Sequence, residues 1–313
     1  MCRMRFSLFG KLCTQIDGHE VASLEGRKLQ ELLCYLLVHR QRPHARETLA
    51  SLLWADATTS QSRKNLRQTL WQLQSLLEIQ QSGPPMAFVM ADVEWIRMDL
   101  PAGIWLDVAE FEGAFEAVRS TPSCGLTMEQ ADHLRTAVDL YKGDLLEGWY
   151  QDWCVYERER LQTIVFAMLD RLVHYCEVHG DYEAGIFYGL RVLRYDRARE
   201  STHRRLMQLY ALCGDRTGAL RQYQACVAAL AEELDVKPSA RTEALYQQIC
   251  ADRFAPTAEP VHLVSPVVGA DQAALQTAVQ HLRQLQVSIH ELNTQITQCM
   301  QAFEQTLLKT NLH

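Results

Sequence analysis

The segment SQSRKNLRQTLWQLQSLL, residues 60–77, carries the pattern that indicates the fold of the N-terminal third of the chain. At about 100° per residue, its leucines cluster on one face of a helix, which should pack into a core. These leucines are Leu66, Leu70, Leu73 and Leu77. The sequence therefore predicts a helix over about residues 61–77, with Ser60 as its N-cap.

The opposite face of this predicted helix combines cations, amides and one large aromatic side chain. It carries Lys64, Gln68, Trp71 and Gln72, with Arg67 on one flank, and Arg63 lies on the other flank in the first turn. Lysine and arginine can neutralise phosphates or read guanine, and glutamine can pair with adenine. A solvated polar surface is the alternative interpretation of such a face. Trp71 favours binding, because an outward-facing tryptophan usually has a contact to make.

The elements around this helix predict a winged helix-turn-helix. Short strands with a turn signal at Asp17-Gly18 open the chain, and a leucine-rich helix follows between Arg27 and His39. Leu49 to Leu53 indicate a second helix that ends at Trp54. After the third helix, residues 88–91 and 95–98 alternate as a hairpin. We predict small antiparallel sheets on either side of three helices, with the third helix in the DNA major groove.

The tip of the predicted wing is acidic. Asp92 and Glu94 lie in its turn, where they would repel phosphates, and Arg97 is the only cation on the hairpin. We include Arg97 among the candidate DNA-binding residues, but we expect the wing to contribute little direct affinity.

The fold class expected after residue 105 is all-α. Gly180-Asp181 and Gly214-Asp215 stand 34 residues apart, which is the tetratricopeptide spacing of paired helices. Small residues at 184–185 and 218–219 occupy places where paired helices approach closely. Such units stack and leave a surface for protein partners. The predicted domains are a winged helix over 1–105 and a tetratricopeptide-like domain over 106–250.

The last 63 residues have a different pattern. Prolines in 251–270 indicate a linker, and apolar residues recur in heptads over 271–313, as in a coiled coil. A long C-terminal helix that joins two chains in a homodimer is the first expectation. A helix that folds back on the repeats is the alternative.

Charge and composition narrow the class of protein. The net charge is −7, but residues 1–105 alone carry +2, which supports nucleic-acid binding in that part. No apolar run is long enough to span a membrane, and the first residues lack the apolar core of a signal peptide. We therefore expect a cytoplasmic protein without a membrane partner.

No pattern indicates catalysis, a cofactor or a metal site. Phosphate-loop, nucleophile-elbow and zinc-protease motifs do not occur in the sequence. His174, Cys176 and His179 cannot share one helix face, so we expect packing rather than metal binding. The run Glu157 to Arg160 indicates a charged helix face with local ion pairs. We predict that the chain is not an enzyme.

Several motifs resemble the bacterial transcriptional activators of the antibiotic-regulatory type. In the N-terminal part they are GRK at 26–28, LLWAD at 52–56 and KNLRQTL at 64–70. In the middle they are LYKGDLLEG at 140–148, Trp153, ERERL at 157–161, ALRQY at 219–223 and ELDVKPS at 233–239. The resemblance implies a winged helix followed by a bacterial transcriptional activator domain. It also implies binding to repeats in double-stranded promoter DNA and contact with RNA polymerase or another protein through the helical repeats.

The sequence departs from this family in two places. Ala45 replaces the usual hydroxyl N-cap of the second helix, which should cost about 1 kcal/mol. Trp71, Gln72 and Gln74 stand where the family commonly carries arginines, so we expect weaker non-specific affinity and a shallower salt dependence. A protein-interaction adaptor or signalling scaffold with a degenerate winged helix is therefore the competing hypothesis.

Overall fold

The structure is a computed structural model that describes most of the chain up to residue 253. The predicted coiled coil and nearly all of the predicted linker lie outside the described residues. The segments described are 4–20, 26–79, 88–100, 103–122 and 125–253.

Within these segments, short strands surround three helices, and a run of helices follows. The strands are β1 (Met4–Ser7), β2 (Cys13–Ile16), β3 (His19–Glu20), β4 (His44–Ala45), β5 (Val89–Ala91), β6 (Trp95–Met98) and β7 (Ile104–Leu106). The helices are α1 (Arg27–Val38), α2 (Arg46–Leu53), α3 (Thr59–Ile79), α4 (Asp107–Val118), α5 (Met128–Leu140), α6 (Asp152–Val178), α7 (Tyr182–Leu193), α8 (Glu200–Leu212), α9 (Arg216–Leu234) and α10 (Ala240–Cys250). The mainly α fold class is confirmed.

The N-terminal sheet has the strand order β3-β2-β1-β7. Asp17 and Gly18 both have positive φ, 49° and 84°, as the tight turn between β2 and β3 requires. The predicted hairpin is therefore present. β7 pairs with β1 in parallel, Met4 opposite Ile104. The sequence did not indicate this pairing, because the two strands lie about a hundred residues apart and β7 is only three residues long.

The three helices of the winged helix-turn-helix lie close to their predicted positions. Burial of α1 is more extensive than one leucine face, since Glu31 and Tyr35 are also buried. The helical domain covers this second side: the Tyr35 ring packs against Trp153, 5.3 Å between centroids, and Gln151 Nε2 donates to Glu31 Oε1 at 2.5 Å.

The predicted cap of the third helix was wrong by two residues. α3 begins at Thr59, and the hydroxyl of Thr58 accepts a bond from the Gln61 backbone N–H at 3.4 Å. Ser60 lies inside the first turn instead. Both Thr58 and Ser60 are good capping residues, and the pattern of apolar side chains could not decide between them.

A three-stranded sheet in the order β4-β6-β5 forms the wing. The predicted hairpin is β5 and β6, with Val89 opposite Met98. β4 is an addition, in which His44 pairs with Ile96. It also places Ala45 as the N-cap of α2 without a side-chain hydrogen bond, as the sequence indicated.

The helical domain has the predicted 34-residue repeat. Gly180 and Gly214 adopt φ of 72° and 78° and end α6 and α8. Asp181 and Asp215 then cap α7 and α9 through their carboxylates. At Gly185, a Cβ atom would lie 3.2 Å from Leu209, so the absence of a side chain lets α7 approach α8 closely.

The winged helix and the helical domain share one core and form one compact unit, Met1–Ala255. The loop after α5 pairs with the end of the N-terminal sheet: Gly10 N–H donates to Asp144 at 2.8 Å, and Leu146 N–H donates to Leu8 at 2.8 Å. None of the described helices is both long and apolar enough to cross a membrane.

Candidate nucleic-acid interface

α3 divides into a buried face and an exposed face. The four leucines predicted to lie in the core are Leu66, Leu70, Leu73 and Leu77, and all are at most 4% exposed. The α3 residues predicted to contact DNA are Arg63, Lys64, Arg67, Gln68, Trp71 and Gln72, and all are exposed. The diameter of an α-helix with its side chains, about 10–12 Å, fits the major groove, which is about 12 Å wide.

Trp71 is the large aromatic side chain on this exposed face. Its side chain is 67% exposed in the middle of a polar surface, beside Gln68 and Gln72. Single exposed apolar side chains are common on protein surfaces, so it is the position of Trp71 among cations and amides on one helix face that favours a binding role. A base methyl group or a deoxyribose would cover this ring in a groove.

The three cations on α3 differ in whether a carboxylate lies close enough to form an ion pair. Arg63 forms an exposed ion pair with Glu47 of α2, which partly offsets its charge. Within the described segments, no carboxylate lies within ion-pair distance of Lys64 or Arg67. The unpaired positive charge of the helix is therefore concentrated in Lys64 and Arg67.

Two side chains hold the wing against the helices, and neither was among the predicted site residues. Gln74 Nε2 on α3 donates to the Val89 carbonyl of β5 at 3.1 Å. Arg46 Nη1 at the start of α2 donates to the Asp92 carbonyl at 2.7 Å, and its backbone N–H donates to Glu94 at 2.9 Å. Their positions in the sequence could have indicated this role. Each residue lies about one turn from the end of a predicted helix or strand.

The wing tip uses its acidic side chain internally. Asp92 Oδ1 accepts from the Trp95 N–H at 2.6 Å and from the Glu94 N–H at 2.8 Å. These bonds favour the carboxylate and lower the pKa of Asp92. The tip therefore keeps its negative charge.

Arg97 does not lie on the α3 face with the other predicted residues. It stands on β6, where it donates to Asp99 Oδ2 at 2.8 Å and contacts Met90 Sδ at 3.4 Å. With Pro43, Met90 and Trp95 it lines an open groove on the outer face of the wing, with a volume of about 540 Å³. The wing thus presents an apolar surface and little net positive charge.

A family model for the bacterial transcriptional activator domain matches residues 106–250. The transcriptional regulatory protein EmbR of Mycobacterium tuberculosis is 23% identical over 254 residues, which are 79% of this chain and 63% of that protein. The regulatory protein AfsR of Streptomyces coelicolor is 25% identical over 246 residues, which are 79% of this chain and 24% of that protein.

A solved structure has the same fold. It is EmbR of Mycobacterium tuberculosis in complex with a low-affinity phosphopeptide, with a TM-score of 0.60 and 22% identity. The match covers 80% of this chain and 66% of the other chain. This chain spans just under two thirds of the length of EmbR and about a quarter of AfsR. Residues 106–250 therefore match the bacterial transcriptional activator domain, and the chain is similar to the transcriptional regulators EmbR and AfsR.

Proposed function

We propose that this chain is a sequence-specific DNA-binding regulator that activates transcription from promoters containing repeated sites. The exposed face of α3 enters the major groove. Lys64, Arg67, Gln68, Trp71 and Gln72 contact bases or the adjoining backbone, and Arg63 contacts a phosphate. Arg97 makes a weaker contact from the wing.

The observation that carries this proposal is the composition of the exposed α3 face. It joins two unpaired cations, two amides and an uncovered tryptophan on one helix that is anchored from behind by four buried leucines. Bidentate amide and guanidinium contacts discriminate between bases, and the indole of Trp71 can pack on the methyl group of a thymine. The regulators that share the activator domain support the same conclusion.

The small number of free cations affects how such a protein binds. Phosphate attraction alone is weak here, because Arg63 and Arg97 are already paired with carboxylates. Base contacts and the pairing of two subunits on neighbouring repeats must supply the remaining affinity. The heptads of 271–313 suit a homodimer, and the activator domain suits contact with RNA polymerase or another protein.

A footprint with a double variant tests the proposed reading face. Arg67→Ala with Gln68→Ala should abolish protection of the target promoter, while circular dichroism remains that of the wild type. The matched control is Arg221→Ala with Gln224→Ala, which removes the same side-chain types from an exposed face of α9. The control should protect DNA normally. An unchanged footprint in the α3 variant would contradict the assignment.

The competing function is an adaptor in which the winged helix binds no DNA. The acidic wing tip and the net charge of −7 favour it. A gel shift over DNA upstream of the chain's own coding region, at two salt concentrations, separates the two functions. Absence of binding at low salt supports the adaptor. A shifted band that remains when non-specific competitor DNA is added supports the regulator.

A further inference from the structure

The first turn of α3 holds a pair of amide side chains that the predicted reading face did not include. Gln61 is the third residue of the helix, and its side chain is exposed. Its Nε2 atom donates to Asn65 Oδ1, one turn further along the helix, at 2.8 Å. At about 100° per residue, Gln61 lies within about 20° of Gln68, which is about two turns away on the exposed face. The pair therefore extends the reading face toward the start of α3.

Helix capping does not occupy the side chain of Gln61. In α5, Thr127 and Gln130 form a complete capping box, in which each side-chain oxygen accepts from the backbone N–H of the other residue. The start of α3 has the same spacing, and Thr58 Oγ1 accepts from the Gln61 backbone N–H at 3.4 Å. The return bond is not made in the part of the chain that the structure describes, because the Gln61 side chain bonds to Asn65 instead.

The bond to Asn65 leaves Gln61 with the groups that an adenine requires. A glutamine amide reads adenine by accepting from the N6 amino group and donating to N7. The amide of Gln61 has two N–H donors, and Asn65 takes one of them. Among the described residues, no partner occupies the other N–H or the Oε1 atom. Asn65 also fixes the direction of the amide, so less side-chain freedom is lost when a base is bound.

The position of Gln61 on the helix also suits a base contact. In helix-turn-helix proteins, the N-terminal residues of the recognition helix contact the base edges. Arg63 in the same turn lies about 160° around the helix from Gln61, and it pairs with Glu47 of α2. Gln61 is therefore in the part of α3 that reaches bases and away from the ion pair to α2.

We infer that Gln61, braced by Asn65, recognises an adenine at the end of the DNA site that faces the start of α3. Gln61 makes the base contact, and Asn65 is a positioning residue that acts through it. The inference rests on the proposed function, because it assigns a base preference to the same face of α3. The alternative is a pair that only stabilises the helix, as bonds between side chains four residues apart do.

Selection from random double-stranded DNA tests the inference, with the full wild-type chain and the full chain of Gln61→Ala in parallel. The wild type should enrich a motif with an adenine that it prefers about 5- to 150-fold, the range of a good bidentate contact. Gln61→Ala should enrich the same motif without that preference and keep the wild-type Tm. No enriched motif with the wild type overturns the proposed function and this inference with it. Identical motifs from both proteins overturn the inference alone.

A base analogue and two variants of Asn65 test the bracing. 7-Deazaadenine at the preferred position lacks the N7 acceptor, so it should weaken wild-type binding about 3- to 10-fold and leave binding by Gln61→Ala unchanged. Asn65→Ala should lower the adenine preference about threefold or more. Asn65→Asp keeps an acceptor for Gln61 Nε2 and should restore the preference, although its charge lowers the affinity for every sequence. A wild-type preference in Asn65→Ala, or no restoration in Asn65→Asp, contradicts the bracing.

Gln130→Ala is the matched control. Gln130 is the corresponding glutamine at the start of α5, where its side chain completes the capping box. This variant should enrich the wild-type motif with its adenine preference intact. Loss of the preference in Gln130→Ala would overturn the inference, because Gln130 does not lie on α3.

Discussion

At the scale of single residues, Asp107 joins the N-terminal sheet to the activator domain, and Arg158 holds the loop after α5 against α6. Asp107 at the start of α4 accepts the Leu8 and Phe9 backbone N–H groups at 2.7 and 2.9 Å. Arg158 on α6 donates to the Leu145, Leu146 and Trp149 carbonyls of the loop after α5. Each side chain satisfies backbone groups that no regular element pairs.

Asp107 should make stability depend on pH. Burial raises its pKa to about 6, although the Phe9, Leu8 and Val108 N–H groups act to lower it. The native state therefore holds this proton more tightly than the unfolded state does, so the contribution of Asp107 falls as pH rises from about 4 through 6. Between pH 5 and 7.5, the wild type should lose about 1.4 kcal/mol more unfolding free energy than Asp107→Asn. Urea titrations of both proteins at the two pH values measure this difference. If the wild type loses no more unfolding free energy than Asp107→Asn between these pH values, the raised pKa of Asp107 is contradicted.

The prediction that residues 157–160 form a charged helix face with local ion pairs is wrong for Arg158. It was predicted as part of a charged face with local pairs, but its Nε donates to Leu145 O at 2.6 Å and its Nη2 donates to Leu146 and Trp149 carbonyls at 2.5 and 2.6 Å. Only Arg160 and Glu157 form a local pair, at 2.7 Å. The sequence could not reveal this, because the loop carbonyls that Arg158 binds are set by the fold.

Arg158→Lys should destabilise the protein by about 2–4 kcal/mol, because an ammonium cannot replace a fork that reaches three carbonyls. Arg160→Lys is the control, since its partly exposed ion pairs should contribute less than about 1 kcal/mol. Chemical denaturation measures the unfolding free energy of both variants. Equal losses of unfolding free energy would mean that the loop after α5 does not depend on Arg158.

At the scale of elements, the sequence predicted what local patterns encode. The leucine spacing of α3 and the repeated Gly-Asp pairs at 180–181 and 214–215 depend on neighbours within one or two turns. β4 and β7 escaped prediction because each is two or three residues long and exists only through pairing with a distant strand. The exposed face of α3 was predictable as a face, whereas the pairing of Arg63 with Glu47 needed the position of α2.

One substitution at the N-cap of α2 should stabilise the protein. Ala45 has the extended conformation of an N-cap, φ −64° and ψ 133°, but offers no side-chain acceptor. Ala45→Ser should therefore raise the unfolding free energy by about 1 kcal/mol. Ala228→Ser, on the exposed side of α9, should lower it slightly because serine has the lower helix propensity. Thermal melts measure the effect of both substitutions. A Tm of Ala45→Ser equal to or below that of the wild type would show that residue 45 is not the N-cap of α2.

At the scale of the molecule, the predicted boundary near residue 105 does not divide the core. Apolar residues from β1, α1, α4 and α6 belong to one buried cluster. The loop at 144–147 adds backbone bonds to residues 8–10, which extend the N-terminal sheet. The buried leucines of α3 belong to the same cluster, so α3 shares its core with the activator domain.

This shared core should make the described part of the chain unfold as one unit. Fluorescence and far-ultraviolet circular dichroism should follow the same denaturation curve, and a chain ending after residue 105 should expose the Trp153-facing side of Tyr35 and fail to fold stably. Two separate transitions, or a cooperative melt of the truncated chain, would show that the parts are independent.

The most direct test of the central claim, that the exposed face of α3 reads DNA, is selection from random double-stranded DNA by the full chain. We predict an enriched motif that disappears with Arg67→Ala and Gln68→Ala. For the selected site, log K against log salt should have a slope of about −2 to −4 per subunit, since Lys64 and Arg67 are the unpaired cations of the described α3 face. No enriched motif at low salt, or an enriched motif that survives the double substitution, would contradict it.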